Sequence, residues 1–143
     1  MTVPETVTLL IVEDDEVEAK GMRRALGKAR IANPVIFAKD GVEALEVLRG
    51  EEGHDPLTKP YLVLLDLNMP RMGGIEFLAE LREDPIHKDA LVFVLTTSKE
   101  EEDRVRAYDH NVAGYIVKND FGAGFLKVLE LIQTYWRVVE FPL

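Results

Sequence analysis

The sequence contains no cysteine. That excludes disulfides, thiolate nucleophiles and cysteine-bound metals, and it fits a reducing compartment, the cytoplasm. It has no run of about 18 consecutive apolar residues, so no membrane span is expected. The opening "MTVPETVTLL" lacks a basic region and a cleavage-like site, so no secretory leader is expected either. Basic residues are the minority: 17 Lys and Arg face 26 Asp and Glu, a net charge of −9. No basic stripe is visible, which argues against a nucleic-acid partner. An acidic balance usually serves solubility, but it also suits a site that gathers carboxylates around a cation. No repeat, low-complexity tract or interdomain linker interrupts the 143 residues. They are expected to form one domain, 1–143, with no output domain after it.

What is present is an alternation of short apolar runs and amphipathic segments. "VTLLIV" (7–12), "PVIFA" (34–38), "YLVLLD" (61–66), "LVFVL" (91–95) and "AGYIVK" (113–118) have strand length. Between and after them, residues 16–30, 40–50, 75–84, 98–111 and 121–140 carry helical spacing, with a loop at 51–60. The strand runs are apolar on both faces, the mark of a parallel sheet covered by helices on each side. The fold class is therefore α/β: a five-stranded, doubly wound parallel sheet of flavodoxin-like order 2-1-3-4-5.

In such a sheet, ligands bind beyond the carboxyl ends of the strands, where the strand order reverses. Strand 1 runs into Glu13, Asp14 and Asp15, strand 3 into Asp66, strand 4 into Thr96 and Thr97, and strand 5 into Lys118. Any one of these alone reads as an ordinary polar strand end; their convergence on one rim does not. Grouped carboxylates repel unless a cation sits among them. Oxygen ligands at this density suit Mg²⁺, and the backbone carbonyl of Asn68 can join them. A cation there shields Asp66 from an approaching phosphate. Lys118 can then neutralise one phosphoryl oxygen, and Thr96 can donate its hydroxyl to another. In-line attack by the Asp66 carboxylate gives an aspartyl phosphate. This reading requires Asp66 to lie within about 5 Å of Asp14, a metal-bridged separation, and to be reachable from solvent.

The segments "LLIVEDD", "LLDLNMPRMGG", "VFVLTTS" and "GYIVK", in this order, resemble the response-regulator receiver domain of two-component signalling. The spacing is 30 residues from Asp66 to Thr96 and 22 from Thr96 to Lys118. The resemblance spans residues 7 to about 135. It implies that Asp66 accepts phosphate from a histidine kinase. It also implies that Asp14 is the direct metal ligand and Glu13 a pocket acid acting through water. Thr96 and Tyr115 match the family's switch pair. Asp15 falls past the acidic pair and is expected to cap the first helix or to meet its dipole in the first turn. Asn119 stands where the family commonly has proline after the lysine. The long loop before strand 3, "VLTTS" and "YWRVVEFP" resemble stand-alone regulators associated with bacterial phytochromes, which implies a bacteriophytochrome as the kinase.

The last segment is apolar over a wide arc. Phe121, Phe125, Tyr135 and Trp136 stand among its apolar residues, and more surface is apolar than one sheet face requires. A homodimer through this fifth helix is therefore expected. A relay that passes phosphate onward uses the same residues. An aspartyl-phosphate phosphohydrolase usually has a second acid two residues after the nucleophile, where this chain has Asn68, so an enzyme is not expected. No aromatic-flanked phosphate loop favours flavin. His54, His87 and His110 are scattered through loops and polar helix and are assigned to no metal. Gly73 and Gly74 are read as serving the turn.

Overall fold

The architecture is taken from a computed structural model that describes residues 7–69, 71–117, 130, 131 and 134. Among the described residues, five strands and four complete helices alternate. They are β1 (Thr8–Val12), α1 (Glu16–Lys28), β2 (Val35–Ala38), α2 (Gly41–Arg49), β3 (Tyr61–Leu65), α3 (Gly74–Glu83), β4 (Leu91–Thr96), α4 (Glu101–Asp109) and β5 (Gly114–Val117). All strand pairs are parallel, and the order is β2-β1-β3-β4-β5. This is the doubly wound sheet expected from the sequence. Of the expected final helix, the described residues Glu130, Leu131 and Thr134 are helical. Phe121, Phe125, Tyr135 and Trp136 lie outside the described residues, as does Lys118. Among the described residues, no helix is long and apolar enough to cross a membrane.

Two apolar layers sandwich the sheet. On one face Leu10, Val12, Val63, Leu65, Val92 and Val94 meet α2, α3 and Ala107 of α4. On the other, Leu9, Ile11, Leu62, Leu64, Phe93 and Leu95 meet Met22 and Leu26 of α1. Successive residues point to opposite faces, so a strand buried on both sides must be apolar throughout. β3 is buried at all five positions.

Element ends follow local chemistry. Asp15 caps α1, accepting from the N–H groups of Val17 and Glu18 at 2.9 and 3.2 Å, as expected for an acid at a helix start. The same helix stops at Lys28, before the expected residue 30, because Arg30 turns left-handed with φ 55°. α4 begins at Glu101 instead of 98. Ser98 holds the preceding turn, accepting from Glu100 N–H at 3.3 Å and donating to Asp103 Oδ2 at 2.6 Å.

Candidate functional site

Register builds the site. Val12 of β1 pairs with Ala38 and Leu65, and the ladder runs one rung further. Glu13 N–H donates to Ala38 O at 2.9 Å, and Asp66 N–H donates to Val12 O at 3.1 Å. Glu13 and Asp66 thus leave neighbouring strands side by side. Asp14 follows Glu13 at the mouth.

Glu13, Asp14 and Asp66 each offer a carboxylate oxygen, and these oxygens lie within 4.8 Å of one another. Glu13 and Asp66 are buried, and Asp14 is exposed. Asp66 is 7% exposed, so its route to solvent is narrow. Asp15 points instead to the start of α1, as the cap described above. Glu13 Oε2 accepts from Asp15 N–H at 3.3 Å, and Asp66 Oδ1 from Asn68 N–H at 3.4 Å. The Asn68 backbone therefore runs beside the Asp66 carboxylate. Three hard oxygen donors around one small space, two of them cut off from bulk water, fit a divalent cation.

The other expected residues sit on the adjoining strands. Thr96 ends β4 and is fully buried; its Oγ1 accepts from Ser98 N–H at 3.3 Å. Tyr115, in β5, is half-buried, and its hydroxyl donates to Ser98 O at 3.0 Å. The two members of the expected switch pair thus hold opposite ends of one residue, Ser98. Gly74 opens α3 directly against β3. A Cβ there would lie 2.7 Å from both Asp66 O and Leu67 Cα, so this glycine serves close packing of the turn.

Two features were not anticipated from the sequence. Arg71, in the turn after Asp66, forks onto Asp40 at the start of α2, with Nε–Oδ2 at 2.7 Å and Nη2–Oδ1 at 3.1 Å. Burial raises the Asp40 pKa. The Arg71 hydrogen bond, the Glu43 N–H and the charges of Arg71 and Lys39 outweigh this and hold it below the ordinary range. The only sequence signal was Asp40 standing three residues before Glu43, a helix-start pattern.

The second feature is the burial of His87, which lies in a turn after α3, as a loop position would have it. His87 is buried, with Nδ1 2.6 Å from the Tyr61 hydroxyl. It lines a cavity of about 640 Å³ with Leu48, Pro56, Leu57 and Ile86 at the opposite end of the sheet. Burial lowers the His87 pKa and raises that of Tyr61, so the neutral forms of both share this hydrogen bond.

The chain belongs to the response-regulator receiver domain family, whose model matches residues 9–127. Its relatives include the response regulator Rcp1 of Synechocystis sp., 32% identical over 128 residues, covering 90% of this chain and 87% of Rcp1. Among solved structures, the phosphorylated cyanobacterial phytochrome response regulator RcpA superposes with a TM-score of 0.86. It is 32% identical, and the match covers 96% of this chain and 99% of that one. The Mn²⁺-bound form of Rcp1 gives 0.83 at 31% identity, with the same coverage.

Proposed function

We propose that this chain is a phosphorylation switch of two-component signalling, in which Asp66 takes a phosphoryl group from the phosphohistidine of a histidine kinase. The observation that carries this is the Glu13–Asp14–Asp66 cluster, with oxygens within 4.8 Å at the carboxyl ends of β1 and β3. Asp14 and Asp66 would hold Mg²⁺ directly, with the Asn68 carbonyl, and Glu13 through water. When bound, the cation offsets the repulsion between these carboxylates and an incoming phosphoryl group.

An Asp66 oxygen attacks phosphorus in line. The new O–P bond forms as the donor's N–P bond breaks, and the imidazole leaves with the electron pair. Thr96 donates its hydroxyl to a phosphoryl oxygen once it releases Ser98 N–H, and Lys118 neutralises another oxygen. Tyr115 follows, because it holds the carbonyl of that same Ser98. In this reading the chain is a phosphoacceptor that assists its own phosphorylation and dephosphorylation, not a turnover enzyme.

Likeness to Rcp1 and RcpA supports a phytochrome-type kinase as the donor. The reading also takes the chain to be cytoplasmic and to form a homodimer through its final helix. That dimer rests on the apolar residues Phe121, Phe125, Tyr135 and Trp136 of the sequence. Incubation with acetyl phosphate and Mg²⁺ tests the chemistry. An acid-stable, base-labile adduct is expected, absent in Asp66→Asn; no adduct on the wild type overturns the reading.

A further inference from the structure

The turn that carries Asn68 joins β3 to α3 and is fastened at three described points. Gly74 N–H donates to Leu67 O at 2.9 Å and closes its base. Gly41 N–H donates to Met72 O at 3.3 Å, joining its far side to the first turn of α2. A Cβ on Gly41 would meet Met72 Cγ at 2.8 Å, so glycine lets the two segments lie this close. The third fastening is the Arg71–Asp40 fork. Asp40 is a buried anchor: it is 3% exposed, and its Oδ1 also accepts from Glu43 N–H at 2.9 Å. Arg71 itself sits at φ 51°, a left-handed backbone that a non-glycine residue keeps only where its surroundings hold it.

We infer that Arg71 is a positioning residue for divalent-cation binding: its two-point grip on Asp40 braces the turn against α2 and keeps the Asn68 backbone beside Asp66. This rests on reading Glu13, Asp14 and Asp66 as the Mg²⁺ site. A guanidinium suits the task because its planar fork fixes direction as well as distance, which an ammonium does not. The alternative is that Arg71 acts only as a charge. The two roles have opposite signs. Removing a positive charge makes the neighbourhood more negative and tightens cation binding. Removing a brace lets the Asn68 backbone drift and weakens it.

Calorimetric titration with Mg²⁺ separates them, using wild type, Arg71→Gln, Asp40→Asn, the double variant and Arg71→Lys. Arg71→Gln separates the roles by sign; Asp40→Asn, which loses a negative charge and weakens binding on either reading, serves the double-variant comparison, because asparagine caps a helix about as well as aspartate. Metal-free melting of each variant in chelator is measured alongside. Expected is a rise in dissociation constant of about tenfold for either single change, the low end for residues supporting a metal site. The double variant should be no worse than the singles, because both remove one contact. Arg71→Lys should recover only part of the affinity. Unchanged or tighter binding in the single variants overturns the inference, as does additivity in the double. A lower metal-free melting temperature with an unchanged dissociation constant also overturns it, since the fork then supports only the fold. If the wild type itself takes up no Mg²⁺, the metal reading fails and the brace with it. Normal wild-type binding with indifferent variants removes the brace alone.

Discussion

Gly74 stands so near Asp66 that a Cβ added to it would lie 2.7 Å from the Asp66 carbonyl oxygen. The first turn of α3 is thus pressed against the backbone of the proposed phosphoacceptor. Gly74→Ala must push either α3 or the end of β3 aside, because the obstructing atoms are largely backbone. A loss of about 1–3 kcal/mol is expected in urea unfolding. Acetyl-phosphate labelling should slow by about tenfold or more, since displacements near 1 Å are costly in an in-line reaction. Normal labelling with normal stability would show that the contact is slack.

Three carboxylates sharing one hollow are expected to repel one another in the metal-free protein. Asp14→Asn relieves that repulsion while removing a proposed ligand. The variant should melt higher than wild type in chelator and gain less from Mg²⁺. For the wild type, Mg²⁺ at ten times its dissociation constant adds about 1.4 kcal/mol. Crossing of the two melting curves between chelator and Mg²⁺ is the expected outcome; parallel curves would argue against a metal site at Asp14.

His87 makes stability depend on pH. Its folded pKa lies below the ordinary value of 6.5, through burial first. The unfolded chain therefore takes up a proton first as pH falls. This contribution is complete above about pH 6.5 and declines as pH drops toward the folded pKa. Asp84 and Asp89 beside it also have lowered pKa values, but they begin to lose stability only in more acid solution. His87→Gln should flatten the slope between about pH 5 and 6.5, where one proton contributes at most about 1.4 kcal/mol per pH unit. The measurement is urea unfolding of both proteins across that range.

Arg82 ties three segments together by donating only to carbonyls. Nε reaches His110 O at 2.6 Å, Nη1 reaches Lys88 O and Ala90 O at 2.9 and 2.7 Å, and Nη2 reaches Asn111 O at 3.0 Å. Arg82→Met keeps the apolar stem and strands these acceptors, two of them partly buried. A loss of about 2–4 kcal/mol is expected. Arg82→Lys should recover less than half of it, because one ammonium cannot span four oxygens.

The sheet order and the acid cluster were legible because both follow from period and position. Leu9–Val12 of β1 and Tyr61–Leu65 of β3 are unbroken, largely apolar runs, and Glu13 and Asp66 end them abruptly. Helix ends were less legible. The expected start of α4 at 98 missed Ser98, whose hydroxyl serves the turn before the helix. Arg71–Asp40 and Tyr61–His87 were not legible, because each joins residues 31 and 26 positions apart. No local pattern distinguishes such a paired arginine or histidine from a solvated one.

β3 lies clamped between two hydrocarbon layers, whereas α4 contributes a single buried side chain, Ala107, and β5 is only half-buried throughout. Among the described residues, burial is therefore graded, complete in β3 beneath Asp66 and lower toward α4 and β5. In the proposed switch, a load at Asp66 would meet the fully buried β3 and pass to Ser98, which Thr96 and Tyr115 hold from opposite ends. That margin, with Val105 and Tyr108 of α4 facing water, is where the proposed switch would change the shape of the domain for the least work.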